Sequence, residues 1–443
     1  MANLLSKIKL LIQSQDGANQ DAKLFPILPI PATVGDALTC SRALATATRV
    51  NSAGTIETVA ANMPRITWEL GVDQCPNLLV EKSEVGNIRD AGDLTTGLWT
   101  VGADLTRSPL VVEGHTFANL TAIGTSSIGI GAGRLAGTTF GPVYNTTWVT
   151  FSWYFKKTGT NPYSAYYAVI GGNDLGAWFN VDTGESGIFY NSGVSDRVRT
   201  ITKIETDLYL VQESVLFAAN LQVQNFFVNL GQGPGAATMT IGATGAIGLP
   251  QVEAGMIATS RIISGATSLT RNADVISKTG IGTLLSGAKG LFGDAYLQAG
   301  SLSDGVARNI FVLQNSTLSY MLLYRVDNTF KFVLYDGAVS VDTTFTITTP
   351  FKNKRIKVFV HLESGNYKVY FNGTLVVTNT TVAGIAGNTT VAVGSFAGVG
   401  QYWDGLIKAV AVTDEFTEAD IEQISSYPSF ENMAEQMMYD FVG

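Results

Sequence analysis

The chain has 443 residues, of which 46% are hydrophobic and 14% are charged, and its formal net charge is −8. Charged residues usually make up about 25% of a globular protein, and nucleic-acid-binding domains carry basic patches, so the composition argues against a nucleic-acid partner. The 47 glycines and the plentiful aromatic residues instead indicate a β-rich protein with many turns.

The first 36 residues contain two apolar segments. Apolar side chains at helical spacing predict a short amphipathic helix over residues 1–15, and three prolines within an apolar run predict an extended arm over residues 16–36. Because neither segment is stable alone in water, we expect them to dock on another protein of an assembly or on a neighbouring copy, the alternative being packing on the chain's own first domain. The candidate docking residues are Leu4, Leu5, Ile8, Leu11, Ile12, Phe25, Ile27 and Leu28.

The N-terminus does not have the pattern of a signal peptide, because Lys7 and Lys9 interrupt its apolar residues. No stretch approaches the ~20 consecutive apolar residues of a membrane span. The sequence therefore predicts a protein that is made in the cytoplasm and does not insert into a membrane.

A β-hairpin is predicted next, with strands at 47–51 and 55–60 joined by a turn at Asn51–Gly54, and a further strand at 65–69. This stretch resembles one found in phage tail proteins ahead of a binding module, with the pattern A-T-x-V-N-x-x-G-x-I-E-x-V-A-A-N-x-P-R. The matching residues are Ala47, Thr48, Val50, Asn51, Gly54, Ile56, Glu57, Val59, Ala60, Ala61, Asn62, Pro64 and Arg65. Residues 1–75 are thus predicted to form an N-terminal docking region.

Residues 76–262 are predicted to form the first full domain. Apolar and aromatic segments at 148–157, 207–217 and 223–231 read as strands separated by Gly/Asn/Asp turns, which is typical of a β-sandwich. The region also resembles carbohydrate-binding-module jelly rolls, beginning with Asn77–Leu78–Leu79. Trp153 is expected in its core.

A polar linker is predicted at 263–282. The residues around it resemble the closing strand and exit linker of a module common in phage tail and head-fibre proteins, with Q-x-E-x-G-x-x-x-T-S followed by T-R-x-A-D. The matching residues are Gln251, Glu253, Gly255, Thr259, Ser260, Thr270, Arg271, Ala273 and Asp274.

Residues 283–427 are predicted to form a second sandwich, followed by an apolar tail at 428–443. Alternating apolar residues flank a two-residue Asn372–Gly373 turn of type I′ character, and a helix is predicted to begin at Thr417 with Asp420 completing a capping box. The region resembles laminin-G/concanavalin-like lectin domains. The matching residues are Arg355, Gly365, Tyr370, Asn372, Gly373, Gly405, Ile407, Val410 and Val412. The predicted fold class is therefore all-β, with two tandem antiparallel β-sandwiches (a jelly roll, then a laminin-G/concanavalin-like domain) and an N-terminal helix and extended arm.

The chain has few residues suited to catalysis or metal binding. Cys40 and Cys75 are too few for a disulfide framework, His115 and His361 are far apart, and no phosphate-binding loop or nucleophile elbow occurs in context. We expect no enzyme activity, no metal and no cofactor. Glycoside cleavage needs only two facing carboxylates and stays open as an alternative. The candidate carboxylates are Asp174, Asp182, Glu185 and Asp196.

The resemblances imply a bacteriophage virion protein, a tail- or head-fibre-like appendage that attaches by its N-terminus and binds a host-surface polysaccharide or decorates the particle. Fibres are commonly symmetric homo-oligomers, and the resemblance suggests a trimer. The alternatives are a glycan-degrading tailspike and a decoration protein with no ligand. Aromatic side chains near strand ends are the expected platforms for a sugar ring. They are Trp99, Trp178, Tyr190, Tyr320, Tyr335 and Tyr402, whereas Trp403 is expected in the core.

Overall fold

A computed structural model describes most of the chain. The described residues are 8–15, 23–27, 39–43, 47–51, 53–68, 77–86, 88, 91–95, 99–125, 135–138, 143–144, 148–217, 221–231, 233–234, 239–264, 267, 269–282, 289–297, 305–316, 319–326, 329–335, 340–346, 354–363, 366–379, 388–396, 400–413 and 416–426. The predicted C-terminal tail and Cys75 lie outside them, and Cys40 is buried with a free thiol. Strands are numbered in chain order.

Two facing sheets form the first sandwich. Sheet I has the spatial order β10 (Leu105–Val112), β11 (His115–Ala122), β21 (Thr244–Ala254), β14 (Trp148–Lys156), β19 (Leu208–Phe217) and β18 (Val194–Glu205). Sheet II has the order β17 (Ser186–Asn191), β16 (Asn173–Asn180), β15 (Tyr163–Ile170), β20 (Leu221–Leu230), β12 (Leu135–Thr138) and β9 (Thr100–Val101), with β13 (Val143–Tyr144) also pairing with β20. The described strands of these sheets pair antiparallel, as a jelly-roll-like sandwich requires.

The core of the first sandwich is aromatic. Alternate residues of β14 point inward, and Trp153 is fully buried, with its ring edge-on to Phe179 at 5.5 Å between centroids. The Trp153 indole Nε1 donates to Ser164 Oγ at 2.8 Å, so burial leaves no unpaired donor on this ring. The expectation that Trp153 lies in the core is confirmed.

Two further sheets form the second sandwich. Sheet III has the order β2 (Lys23–Ile27), β1 (Ile8–Gln15), β33 (Gly405–Thr413), β24 (Gly290–Leu297), β29 (Lys354–Glu363), β30 (Asn366–Phe371) and β31 (Thr374–Asn379), with β6 (Arg65–Thr67) and β7 (Asn77–Val80) joining at β33. Sheet IV has the order β28 (Ser340–Thr346), β27 (Thr329–Tyr335), β26 (Ser319–Val326), β25 (Ala307–Ser316), β32 (Thr390–Val393), β23 (Val275–Thr279) and β3 (Thr39–Ser41).

The remaining described elements are two short strand pairs and one helix. They are β4 (Ala47–Val50) with β5 (Ile56–Val59), β8 (Glu84–Gly86) with β22 (Leu269–Arg271), and α1 (Glu418–Ser426). The chain is therefore nearly all-β, as predicted. Among the described residues, no helix is long and apolar enough to cross a membrane.

Local features of the second sandwich agree with the predictions made from the sequence. Asn372 and Gly373 have φ values of 47° and 82°, and Phe371 pairs with Thr374 across them, which confirms the two-residue turn. At α1, the Thr417 amide donates to Asp420 Oδ2 at 3.0 Å and the Asp420 amide donates to Thr417 Oγ1 at 3.2 Å. These reciprocal bonds confirm the capping box. Trp403 is 3% exposed and lies in the core, as expected.

The predicted N-terminal helix is wrong where the structure describes it, because Ile8–Gln15 form β1. Leu11 pairs with Ile27 on β2 and with Ala411 on β33, so β1 lies between two strands. The segment IKLLIQSQ satisfies both a helical and an alternating pattern, and the available edge of β33 favours the strand. Pro26 lies on β2, the outermost strand of sheet III, where a missing N–H is tolerated.

Strand pairing also crosses the predicted domain boundaries. The predicted linker contains β22 and β23, and Ile276 of β23 pairs with Val393 in sheet IV. Asn77–Val80, expected at the entry of the first domain, pairs with β33 of the second sandwich. In contrast, the β4–β5 hairpin packs on sheet I, with Val50 and Ile56 in one apolar cluster with Phe117 and Tyr154. The described residues up to Val80 are thus shared between both sandwiches.

A buried ionic cluster lies where these segments meet, and we call it the junction cluster: Arg42, Arg65, Glu81, Arg271 and Asp274. Arg42 Nη1 lies 2.8 Å from Asp274 Oδ1, and Arg65 contacts both Asp274 and Glu81, the latter at 2.6 Å. Burial raises the pKa of Glu81, but Arg271 and Arg65 outweigh it and hold that pKa at about 2. Residues of the motifs that resemble phage tail proteins therefore serve here to join strands.

Candidate functional site

The six predicted aromatic platforms occupy different places in the fold. Trp99 is 1% exposed in the core of the first sandwich, so its ring is not available to a ligand. Tyr402 is half-buried against the core of the second sandwich. Tyr335 is half-buried on β27, directly opposite position 320 on β26. Tyr320 and Tyr335 are therefore cross-strand partners in sheet IV, and Trp178 and Tyr190 lie on the neighbouring strands β16 and β17 of sheet II.

Tyr190 occupies the outer face of sheet II, in a row that crosses four strands. Tyr190 is opposite Gly176, Gly176 is opposite Tyr167, and Tyr167 is opposite Phe227. The Tyr167 ring stands edge-on to Tyr190 at 5.5 Å and stacks on Phe227 at 5.4 Å between centroids. Tyr167 and Phe227 are buried whereas Tyr190 is half-buried, so two packed rings hold a third that reaches the surface.

Two local features place Tyr190 on this face. The pairing of β16 with β17 shifts between Gly176 and Ala177, and such a bulge re-aims the side chains that follow it. A Cβ atom at Gly176 would lie 3.2 Å from Tyr190 Cδ2 and 3.0 Å from the Tyr166 carbonyl oxygen. The absence of a side chain at Gly176 therefore lets the Tyr190 ring lie close to the strand.

Trp178 lies further along the same strand, β16. Its indole covers Gly187, where a Cβ atom would lie 2.5 Å from Trp178 Nε1. The Trp178 ring is edge-on to Tyr163 at 6.2 Å and is only 8% exposed. Trp178 therefore packs on the sheet, and little of its ring is accessible to a ligand.

Asp174 adds a carboxylate beside the aromatic row. The Tyr167 hydroxyl donates to Asp174 Oδ1 at 2.5 Å, so Tyr167 contacts both Asp174 and Tyr190. Among the described residues, no donor reaches the other oxygen, Oδ2, and the side chain is half-buried. An aromatic ring with an adjacent acceptor that has unused capacity is an arrangement suited to a sugar, whose ring face stacks and whose hydroxyls donate.

A second charged residue, Arg197 on β18, lies at the edge of sheet II and donates to the Tyr190 carbonyl oxygen. Its guanidinium binds the fully buried Glu213 through Nε at 2.7 Å and Nη2 at 2.6 Å. Glu213 also accepts the hydroxyl of Tyr166, and burial together with this carboxylate raises the pKa of Tyr166 well above its ordinary value. The Arg197–Glu213 pair therefore links the two sheets rather than facing solvent.

The four candidate carboxylates lie in different surroundings. Asp174 starts β16 and Asp182 follows its end, so they are separated by roughly 25 Å of extended chain. Asp182 binds Lys157 at 2.6 Å, and Glu185 accepts from Thr183 in the same exposed turn. Asp196 is exposed on β18 and accepts the Arg197 amide. The described residues also contain no cluster of three or more metal-ligating side chains.

The candidate docking residues fall partly outside the described chain. Leu4, Leu5 and Leu28 lie outside it. The other five belong to the β1–β2 pair of sheet III, namely Ile8, Leu11, Ile12, Phe25 and Ile27.

Sequence reasoning missed Tyr167 and Gly176, and it considered Asp174 only as a catalytic acid. Tyr167 lies within an apolar strand, where a tyrosine is usually a core residue, and no local pattern indicates its neighbours. The one usable signal was the glycine at 176 within a strand of large side chains, since such glycines mark close approach of another group.

Comparisons with known proteins agree with this fold. Residues 295–422 match the family model described as the concanavalin A-like lectin/glucanases superfamily. The second sandwich is lectin-like. No curated protein matches the chain.

Several solved structures align with part of the chain. A carbohydrate-binding module of the Ruminococcus gnavus IT-sialidase, bound to α2,3-sialyllactose, is 14% identical over 32% of this chain and 83% of its own, with a TM-score of 0.27. The receptor-binding domain of botulinum neurotoxin type G is 13% identical over 35% of this chain and 40% of its own, with a TM-score of 0.28. Domain 4 of an arabinanase from Geobacillus stearothermophilus, in complex with arabinotriose, is 15% identical over 34% and 73%, with a TM-score of 0.27.

Proposed function

We propose that this chain is a structural appendage protein of a bacteriophage virion, tail- or head-fibre-like, that attaches by its N-terminal region and binds a host-surface glycan through the outer face of sheet II. The observation that carries the glycan-binding part is that Tyr167 contacts both the half-buried Tyr190 ring, a stacking surface, and Asp174, whose Oδ2 is an acceptor with unused capacity. The lectin-like second sandwich supports the same class of ligand.

The virion part of the proposal is supported by the motifs that resemble phage tail and head-fibre proteins. Their residues Arg65, Arg271 and Asp274 lie together in the junction cluster, which shows that the two motifs work as one structural unit. A junction held by buried ion pairs between tandem sandwiches suits an appendage that must project from a particle.

A glycan array probed with the full-length protein tests the binding. Tyr190→Ala should lower binding by about tenfold, since aromatic stacking contributes on the order of 1–3 kcal/mol. Tyr335→Ala is the matched variant, because Tyr335 is also a half-buried tyrosine near a strand end but belongs to the second sandwich. Loss of binding in Tyr335→Ala alone would place the site in the second sandwich. If the full-length protein bound no glycan on the array, glycan recognition would be contradicted.

Two further measurements test the rest of the proposal. Mass spectrometry of purified phage particles should find the chain among the virion proteins, and its absence would contradict the appendage role. The same glycans incubated with the protein should release no reducing sugar. Release of reducing sugar would instead identify a glycan-degrading enzyme.

A further inference from the structure

The charges around Tyr190 limit which glycans the outer face of sheet II can accept. Asp174 is the acid of this face, and its Oδ1 already accepts the Tyr167 hydroxyl. Its Oδ2 therefore presents negative charge and acceptor capacity next to Tyr167, the residue whose ring contacts Tyr190. A sugar hydroxyl can donate to this oxygen, whereas a sugar carboxylate there would face a like charge.

Arg197 is the cation that bonds to the Tyr190 backbone, and all of its N–H donors are in use. Beyond the two bonds to Glu213, Nη1 donates to the Tyr190 carbonyl oxygen at 2.7 Å and to Asn191 Oδ1 at 3.3 Å, and Nη2 donates to the Gly176 carbonyl oxygen at 3.3 Å. An arginine has five N–H donors, so these five contacts leave none for a ligand. Arginine recognises a carboxylate best with two free parallel N–H groups, which Arg197 does not offer.

Arg199, the next arginine along β18, binds the same carboxylate. Its Nη1 lies 3.1 Å from Glu213 Oε1, and its Nε donates to Ser186 Oγ at 3.1 Å. Both arginines at this edge are therefore bound to one buried carboxylate. The net charge of the whole chain, −8, also disfavours the approach of an anionic polymer.

We infer that the Tyr190–Asp174 site takes neutral glycans, and that it discriminates against glycans bearing a carboxylate, such as sialylated or uronic-acid-containing chains. This inference rests on the proposed glycan-binding function and adds the ligand class. Repulsion between two carboxylates a few ångströms apart at a partly exposed site corresponds to about tenfold weaker binding.

The test uses an array of matched pairs, in which each neutral glycan stands beside the same glycan carrying sialic acid or glucuronic acid. The wild-type protein should bind the neutral member of a recognised pair at least about tenfold more tightly. Asp174→Asn should bring the ratio to within about threefold, because the amide keeps an acceptor for Tyr167 but removes the charge. Asp182→Asn is the control, since it removes the same charge from an exposed turn where Lys157 already neutralises it.

The outcomes distinguish an error in the inferred ligand class from an error in glycan binding itself. Equal or tighter binding of the acidic members by the wild-type protein, or an unchanged ratio in Asp174→Asn, would overturn the inference and leave glycan binding intact. Failure to bind either member of every pair would overturn the proposed function itself. A change in the ratio with Asp182→Asn as large as with Asp174→Asn would show that overall charge, and not this site, sets the preference.

Discussion

Replacing Asp274 with asparagine should destabilise the protein strongly, because Asp274 is the acid that two buried arginines share. Its side chain is 1% exposed, and it accepts hydrogen bonds from Arg42 Nη1 at 2.8 Å, from Arg65 through Nε and Nη2, and from the Glu81 amide at 3.1 Å. Asparagine keeps the shape but removes the charge, which leaves one carboxylate, Glu81, for three buried arginines. Breaking a buried ion pair from one side costs about 3–5 kcal/mol.

Urea unfolding followed by circular dichroism measures this cost. With a urea dependence of about 3 kcal/mol/M, the unfolding midpoint should fall by roughly 1–1.7 M. Asp182→Asn is the control, because its carboxylate is 44% exposed and pairs with Lys157 at the surface. Surface pairs contribute at most about 1 kcal/mol, so this variant should barely move the midpoint. Equal shifts for the two variants would refute the view that the junction cluster carries stability.

Three further predictions follow from buried charges, turn geometry and strand order. Burial and the nearby Glu84 raise the pKa of Glu253 from 4.5 to about 7, so the folded state holds this proton more tightly than the unfolded state. Stability should therefore fall as the pH rises from about 4.5 to 7, by up to about 3 kcal/mol, and Glu253→Gln should flatten that slope in thermal melts taken across this range. Gly373→Val places a β-branched residue at a φ of 82° and should cost about 1–3 kcal/mol, and an unchanged melting temperature would contradict the turn. Deletion of residues 1–35 removes β1 and β2 from sheet III and should lower the melting temperature of the second sandwich, whereas an unchanged melt would mean that these strands only dock elsewhere.

Local sequence signals predicted much of the fold because the features concerned are themselves local. The Asn372–Gly373 turn, the Thr417–Asp420 capping box and the burial of Trp153 each depend on a few consecutive residues or on one hydrophobic pattern. The helix prediction for Ile8–Gln15 failed because its apolar residues fit both a helical and an alternating pattern. Only the distant partner strand β33 decides between them.

The candidate site was harder to predict because it depends on sheet order. Tyr167, Asp174 and Tyr190 come from three different strands, and nothing within each strand tells which residues face each other across the sheet. The junction cluster shows the same limit. Arg65 and Asp274 were noticed as parts of two separate motifs, but their contact across 209 positions of chain is visible only in three dimensions.

The pairing of β1 with β33 has a consequence for how the protein is made on the ribosome. Ile8 pairs with Thr413, so β1 must wait for a strand that is made much later. Chains grow at about 5–20 residues per second, and the ~400 residues between β1 and the end of β33 therefore impose a delay of roughly 20–80 s. Sheets I and II, which use only residues between 100 and 254, can form in the meantime. The apolar strands β1 and β2 stay without their sheet throughout that interval, which makes them the segment that a chaperone would have most reason to hold.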